Sequence, residues 1–543
     1  MKLRTLYVAI TTCLLATASF PTFSANIPAN TQLADKQELV RGNGAEVATL
    51  DPQLMEGVPE SNVIFDLFEN LVIQDDHGNI IPGVATSWET TDNKTYIFHL
   101  RNNAKWSNGD SVTASDFVYA WRRLADPKVG ATYSSYLEAS GIKNAKAINE
   151  GKKPLSSLGV TAMDTHTLKV ELDRTVPYFV SMTSSAAMAP VHKKTVEKWG
   201  DAWTQSAHIV SNGAFKLSKR VINERLVMVR NPYYWDNKHT ILNKVTYLPI
   251  EDSVSEMNRF LAGEIDMTST VPSAYVKKLK KENKDVLKFT PALCTYYYAF
   301  NTEKKPLNDV RVRQALSYAI DRNVIANIIV GKGEVPAYGF ANKDLAGYKI
   351  YSPEYAHQTQ AELNKKAKAL MKAAGIDKDH PLDITLLYNT NDSHKKIAVA
   401  IASMYKKLGI NIHLENQEWK TFLDSKRNGE FDIARAGWCG EYNEASSFLS
   451  LLTTGNNNND ARYSNIKYDE LMNKAKVATT AKERADDYHQ AEAILARDMP
   501  IAPIYYYVHT RLVKKNIGGF PMHNPQDNIY LKDIYIKKIK NKE

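Results

Sequence analysis

The feature that most constrains the fold is an alternation of strand-like and helix-like segments over residues 382–438. In order, the pattern predicts a strand at 382–388, a helix capped by Asn391 or Asp392 and ended by Gly409, a strand at 410–414, a helix at 419–426 that stops before Gly429, and a strand at 431–438. Strands that alternate with helices in this way are typical of a mainly parallel α/β sheet. Ligands of such sheets collect beyond the carboxyl ends of the strands, so residues 388–394 and 435–444 are candidates for a site.

Three more elements are predicted outside this region. They are a half-buried strand at 95–101 with Tyr96, Phe98 and Leu100 on one face, a helix at 310–329 whose apolar face includes Val312, Leu316, Ala319 and Ile320, and a helix at 360–374 that stops at Gly375. A hairpin-type turn is expected at Asn108-Gly109, after the strand at 95–101.

The beginning of the chain has the pattern of a cleaved secretory signal. Lys2 and Arg4 precede a mostly apolar stretch at 6–20, and small residues follow, with cleavage expected near Ser24 or Ala25. A membrane anchor is the alternative, but the stretch is shorter than the roughly 20 residues that a spanning helix needs. We therefore predict export, with a mature chain outside the cytoplasm.

The mature chain keeps about 520 of the 543 residues, which exceeds the ~250–300 residues that one core supports. At least two domains are expected. No repeat or long linker divides the sequence, so the domains are predicted to be woven from separate segments whose connections could act as hinges.

Removal of Cys13 with the signal leaves Cys294 and Cys439. In an oxidising compartment, a lone pair of this kind is more often bridged than free, and a disulfide is favoured.

The formal charge is +9, and basic runs occur at 277–281 and 537–542. No nucleic-acid-binding motif accompanies these runs, so a solvated basic surface is the better interpretation and no nucleic-acid partner is expected.

The sequence contains no specific catalytic motif. The sequence has no Gly-x-Ser-x-Gly elbow, no His-Glu-x-x-His helix and no phosphate-binding Gly-x-x-x-x-Gly-Lys loop. Ser-x-x-Lys occurs at 393–396 and 464–467, but the partner motifs of penicillin-recognising enzymes are missing. The thirteen histidines show no metal-ligand spacing, and Asp75-Asp76 is interpreted as a solvated turn. We predict that the protein is not an enzyme and carries no cofactor.

Longer motifs resemble a known family. ATSWETTDNKTYIFHLRNNAKWSNGDSVTASDFVYAWRR, which starts at Ala85, resembles the signature of the extracellular solute-binding proteins of peptide and nickel ABC importers, and NGAFKL, RNPYYW and FNTEKKPLNDVRVRQALSYAIDR follow in family order. Five further segments are similar to the oligopeptide-binding and murein-peptide-binding branches: LDPQLMEGVPESN, CTYYYAFN, LLYNTNDSHKK, NQEWKTFLDSK and ARAGWCGEYNE. The resemblance spans the mature chain.

The resemblance implies a type II periplasmic binding protein fold of the α/β class, with mixed sheets flanked by helices and three domains arranged in two lobes about a hinge. The implied division is a signal peptide at 1–25, a discontinuous domain I at 26–68, 192–293 and 509–543, domain II at 69–191, and domain III at 294–508. The protein would be a monomer in the periplasm of a Gram-negative bacterium.

The resemblance also implies that an extended peptide lies between the lobes. Its backbone would pair with the strand at 431–439, where Gly437 allows close approach, and with the segment of Glu56 and Val58. Glu441 would bind the ligand ammonium, although the family's oligopeptide-binding branch has aspartate there. The other implied site residues are a set of cations for the ligand carboxylate and a set of pocket walls: Arg435, His394 and Lys426, then Tyr133, Tyr297, Asn389, Trp419, Trp438, Cys439 and Tyr507.

The favoured function is thus a periplasmic receptor that delivers short peptides to a membrane-embedded ABC permease with cytoplasmic ATPases. Glu56 is a candidate second acid that selects basic side chains. The alternatives are a receptor for haem, nickel or a murein tripeptide, a periplasmic hydrolase, and a chaperone-like holder of unfolded chains.

Overall fold

A computed structural model describes residues 27–345, 348–377, 379–478 and 480–539. The predicted signal segment, with Cys13 and the cleavage site, lies outside these residues. Within the described ranges, no helix is long and apolar enough to cross a lipid bilayer.

Strands and helices are numbered in chain order. The strands are β1 Glu38–Gly42, β2 Val72–Gln74, β3 Ile80–Pro82, β4 Ala85–Glu89, β5 Thr95–Leu100, β6 Val160–Ala162, β7 Thr167–Glu171, β8 Phe215–Val221, β9 Arg225–Arg230, β10 Lys244–Leu248, β11 Leu287–Phe300, β12 Val335–Pro336, β13 Leu382–Asn389, β14 Ile410–Gln417, β15 Ile433–Cys439, β16 Ile501–Leu512, β17 Ile517–Gly518 and β18 Tyr535–Ile536. The α-helices are α1 Val58–Leu67, α2 Ala114–Ala125, α3 Ser134–Ala139, α4 Ala145–Asn149, α5 Phe179–Met182, α6 Lys193–Trp199, α7 Ser253–Leu261, α8 Val276–Glu282, α9 Val310–Ala319, α10 Gln360–Ala373, α11 Asp392–Lys406, α12 Trp419–Asn428, α13 Ser446–Leu449, α14 Ile466–Val477 and α15 Ala481–Asp498.

Most strands belong to three sheets. Sheet A has the order β1-β10-β9-β8, sheet B the order β4-β5-β7-β6, and sheet C the order β12-β16-β11-β15-β13-β14. In sheet B, β5 has the predicted alternation, because Tyr96, Phe98 and Leu100 are buried. The predicted turn follows it, and Gly109 there has φ +93°.

Sheet C contains the predicted strand–helix–strand–helix–strand unit. Strand β13 pairs in parallel with β14 and β15, α11 is capped by Asn391, and Gly409 and Gly429 follow α11 and α12 with positive φ. The expectation of a mainly parallel sheet is wrong for the other half, because β11 pairs antiparallel with both β15 and β16. The sheet is mixed, and the α/β class is confirmed.

The helix predicted at 310–329 is two segments. Helix α9 ends at Ala319, Ile320 is extended, and a π-helical segment follows at Val324–Val330. The physical reason is Arg322, which is buried and donates hydrogen bonds to the carbonyl oxygens of Ser317 and Pro503. Satisfying that guanidinium takes the chain out of helical geometry. Helix α10 agrees with prediction and is followed by Gly375 at φ +80°.

The apolar side chains form two lobes. In the first lobe, one continuous core joins sheets A and B, for example Leu39 with Phe98 and Phe215. In the second lobe, alternate residues of β11 face opposite sides of sheet C, so that Tyr296 and Tyr297 belong to different cores.

Strands β11 and β16 connect the lobes. Their outer ends pair Leu287 with Leu512 in a core next to sheet A, and their inner ends pair Tyr296 with Tyr505 within sheet C. The register shifts between Pro291 and Thr295. Two long, paired strands are thus the connection at which the lobes meet, and a register shift lies at the boundary.

Candidate functional site

A cavity of about 340 Å³ lies between the lobes, within the size range of small-ligand sites. Most of the predicted site residues line it: Glu56, Val58, Tyr133, Asn389, Trp419, Arg435, Gly437, Trp438, Cys439, Glu441 and Tyr507. Both predicted regions at the strand ends contribute. The lobes touch around the cavity, for example where Asn457 donates to Ser134 at 2.7 Å, so this is a closed arrangement.

Strand β15 leaves one edge open toward the cavity. On one side it pairs with β11 over its whole length, from Ile433 to Cys439. On the other side, its pairing with β13 ends at Ala434. The backbone from Arg435 to Cys439 therefore has no ladder partner on that side in the described residues, and Gly437 is exposed there. An unpaired edge of this kind is a template for another extended chain.

Glu441 lies just beyond the carboxyl end of β15 and is held from the opposite lobe. Its carboxylate accepts hydrogen bonds from the Ser185 hydroxyl at 2.9 Å and the Tyr133 hydroxyl at 3.2 Å. Burial raises the pKa of Glu441 above its ordinary value of 4.5, and these two hydrogen bonds oppose that shift. Each oxygen has one protein partner, which leaves lone pairs for a further donor.

The backbone at Glu441 is also fixed. The Gln526 side chain donates to the carbonyl oxygen of Glu441 at 2.7 Å and to that of Gly440 at 3.2 Å. Gln526 and Ser185 both line the cavity, although neither is predicted from the sequence. Each is a single polar residue in an irregular segment, and no spacing pattern distinguishes it.

Arg435 lies where the open edge of β15 begins and has only neutral hydrogen-bond partners. It donates to the Tyr507 hydroxyl at 2.6 Å and to Asn389 at 3.4 Å, and its guanidinium lies 4.9 Å from the centre of the Tyr296 ring. No carboxylate of the described residues lies within 4.0 Å of it, and its Nε is buried without a hydrogen-bond partner. A partly buried cation without an anion is costly, which points to a ligand anion.

His394 does not line the cavity. It is buried, its ring lies 5.5 Å from that of Tyr296, and burial together with Arg435 and Lys332 holds its pKa well below 6.5. The first amides of α11 donate to Asn391 instead of remaining free. This placement does not support the hypothesis that His394 supplies a cation for the ligand.

Two further predicted residues lie away from the cavity wall. Tyr297 is in the second-lobe core, with its ring 5.0 Å from that of Phe340. Lys426 forms an ion pair with Asp460 at 2.7 Å. Their contacts explain both positions as packing within the second lobe.

Glu56 lines the cavity but already has a cation. Its carboxylate pairs with Arg427 from the second lobe. Burial raises the pKa of Glu56, and the charge of Arg427 opposes that shift. The pair crosses the cleft and fastens the lobes, so Glu56 is not a free acid for a basic ligand side chain in this closed arrangement.

The predicted disulfide is present. Cys294 and Cys439 lie directly opposite each other in β11 and β15, with an S–S distance of 2.08 Å. Both cysteines line the cavity. The bridge thus ties the open-edged strand to the strand that connects the lobes.

Residues 79–460 match the family of bacterial extracellular solute-binding proteins, family 5 middle. This chain belongs to that family. It is 51% identical over 517 residues to the periplasmic oligopeptide-binding protein OppA of Salmonella typhimurium, which covers 95% of both chains. The members of this family to which it is similar are binding proteins.

Solved structures agree with the fold and with the closed arrangement. The murein tripeptide binding protein MppA of Escherichia coli superposes with a TM-score of 0.93 at 48% identity, covering 94% of this chain and 100% of that one. OppA of Haemophilus influenzae in complex with the peptide RPPGFSPFR gives 0.92 at 46% identity, covering 93% and 100%. The unliganded open form of MppA gives only 0.66 at 47% identity, covering 94% and 99%. Because coverage is nearly equal, the lower score reflects a different arrangement of the lobes.

Proposed function

We propose that the protein is a periplasmic receptor that encloses short peptides in extended form between its lobes and passes them to a membrane-embedded ABC permease with cytoplasmic ATPases. The periplasmic, peptide-binding names of its relatives support this proposal. The three sheets also support a division into domain I at 26–68, 192–293 and 509–543, domain II at 69–191 and domain III at 294–508.

The observation that carries the proposal is the open edge of β15 between two opposite charges. Arg435 to Cys439 spans about 13 Å at ~3.3 Å per residue, which an extended peptide of roughly four residues covers. Backbone pairing along this edge is common to all peptides, because it does not depend on side chains. Glu441 would bind the ammonium at one end, and Arg435 the carboxylate at the other.

In this proposal, the aromatic residues of the cavity wall form tolerant side-chain pockets. Trp438 stacks on Tyr133 from the other lobe, with ring centres 6.0 Å apart, and Trp419 lines another part of the wall. Flat apolar surfaces of this kind accept different side chains, and water can fill the unused space.

Native mass spectrometry of the purified protein, before and after denaturation, tests the proposal. We expect a set of bound masses that correspond to peptides of a few residues and that are released on denaturation. A single discrete non-peptide mass would contradict it. As a control for surface adhesion, the double variant Arg435→Met/Glu441→Gln should lose the bound peptides while keeping its fold.

A further inference from the structure

A cluster of metal-ligating side chains lies on the surface of the first lobe, away from the proposed peptide contacts. It consists of Asp76 and His77, in the turn between β2 and β3, and of His523, and we call it the Asp76–His77–His523 cluster. All three side chains are exposed, and one possible ligand atom from each lies within 4.8 Å of the other two. Ligands about 2.1 Å from a common ion can be at most ~4.2 Å apart, so small rotations of exposed side chains complete the site.

The cluster is already partly ordered. The Asp76 carboxylate accepts hydrogen bonds from the backbone N–H of Met522 at 2.7 Å and of His523 at 3.4 Å. Its other oxygen lies 3.2 Å from Nδ1 of His523. The two imidazole rings are stacked with centres 4.9 Å apart and planes 9° apart. The turn with Asp76 and His77 and the segment with His523 are therefore already in contact before any ion binds.

The donor set defines the ligand class. Two imidazole nitrogens and one carboxylate oxygen suit Zn²⁺, Ni²⁺ and Cu²⁺, whereas Mg²⁺ and Ca²⁺ prefer sites made of oxygen. We propose that the Asp76–His77–His523 cluster is a binding site for a divalent transition metal, with water completing the coordination.

The site would hold together two segments that are 446 residues apart in the sequence. The segment after His523 reaches the cavity, where Gln526 and Asp527 line the wall. Asn524, between the two sites, donates to Gln74 at 3.0 Å. A bound ion would thus tether the segment that holds the Glu441 backbone, and this tether does not require that the ligand be a peptide.

Isothermal titration with ZnCl₂ on tag-free protein, treated first with chelator, tests the site. We expect one equivalent of Zn²⁺ to bind. The Zn²⁺ affinity should be at least tenfold lower in His77→Ala and in His523→Ala, because loss of even an outer-shell partner lowers metal affinity on the order of 10–100-fold. MgCl₂ should give no binding at this site. Equal Zn²⁺ affinity in the wild type and both variants, or no binding at all, would overturn the proposal.

His380→Ala is the matched control. His380 is exposed and lies 3.3 Å from Asp377, so it has the same kind of His–Asp contact but belongs to no group of three possible ligands in the described residues. Its removal should leave Zn²⁺ binding unchanged.

Hydrogen exchange gives a second measurement. Zn²⁺ should slow exchange of the amides at 520–528 in the wild type and in His380→Ala, but not in His77→Ala. Slowing that persists in His77→Ala would place the ion elsewhere and contradict the proposal.

Discussion

The two ends of the open β15 edge carry opposite charges, and these charges differ in the partners that the protein supplies. Glu441 receives hydrogen bonds from Ser185 and Tyr133 on the opposite lobe. Arg435 has its partners within its own lobe, and all of them are neutral. In the closed arrangement the opposite lobe therefore already donates hydrogen bonds to the acid, whereas the cation still lacks an anion.

The difference assigns separate tasks to the two ends. At the acidic end, the Glu441 carboxylate takes part both in lobe closure and in the proposed ligand binding. Its hydrogen bonds from the opposite lobe form only when the lobes are closed. At the basic end, the uncompensated charge makes an anionic ligand group favourable. The following predictions rest on the proposed peptide ligand and are ordered by expected effect.

Removing the cation should have the largest effect. Arg435→Met should weaken binding of a free-carboxylate peptide by about 2–5 kcal/mol, the usual cost of losing one member of a close charge pair. The same substitution should weaken binding of a C-terminally amidated peptide much less, as measured by titration calorimetry. The unliganded variant should unfold at the same temperature as the wild type or higher, because an unpaired charge has left the interior.

Lys426→Met is the matched control for that charge change. It leaves Asp460 without its partner and should lower the free energy of unfolding by about 1–3 kcal/mol, with little effect on peptide affinity. If Lys426→Met and Arg435→Met behaved alike in both measurements, the distinction between a paired and an unpaired cation would fail.

Neutralising the acid should have the next largest effect. Glu441→Gln should weaken binding of peptides with a free amine by about 1.5–3 kcal/mol, the value of hydrogen bonds to a charged group. N-acetylated peptides should be affected much less. Glu251→Gln removes the same charge from another part of the wall and is the control. Equal losses for free and acetylated peptides would rule out an ammonium site at Glu441.

The pH dependence separates the two ends without mutation. Burial raises the pKa of Glu441 in the closed arrangement without ligand, and a bound ammonium would lower it again. The complex then holds fewer protons than the free protein, so affinity should fall as pH falls through the raised pKa, by at most about tenfold per pH unit for one proton. Arg435 keeps its charge throughout.

Calorimetry from pH 7 to pH 5, where the peptide α-amine with its pKa of about 7.7–8.0 stays mostly protonated, checks this prediction. Free-amine peptides should bind more weakly toward pH 5, whereas N-acetylated peptides should not follow the same curve. Parallel curves for both kinds of peptide would assign the dependence to another group.

Removing one interlobe hydrogen bond should have the smallest effect. Ser185→Ala should weaken binding by about 1 kcal/mol, and Ser185→Thr should restore part of it. Because the bond forms only on closure, small-angle scattering of the unliganded variant should show a larger open fraction. No change in either measurement would mean that closure does not depend on this contact.

Local patterns predicted the fold well where elements follow each other in the chain. Strands β13 to β15 and their helices carry their caps, glycines and apolar faces in the sequence itself. The antiparallel pairing of β11 with β16 joins segments about two hundred residues apart, and no local pattern encodes it. The break after α9 depends on the carbonyl oxygens to which the buried Arg322 side chain donates hydrogen bonds, and only the packed structure determines these.

The site residues show the same contrast between local motifs and contacts of distant segments. Arg435, Gly437 and Glu441 lie in one motif and were found through it. Ser185 and Gln526 come from distant loops, and their role follows only from their hydrogen bonds to Glu441, which no local pattern predicts. His394 and Tyr297 belong to the same motifs as true wall residues, but alternation along a strand and the first turn of a helix direct them into the core.

The chain connectivity of the first lobe has a consequence for the order in which the two lobes fold. The Gln37 side chain bonds to the Ile536 carbonyl at 2.8 Å across 499 residues, and Leu531 and Ile534 complete the core around Leu39. Sheet C needs only residues 287–512. The second lobe can therefore form from one continuous stretch of chain, whereas the core of the first lobe closes only when segments almost 500 residues apart have come together, which favours folding of the second lobe before the first.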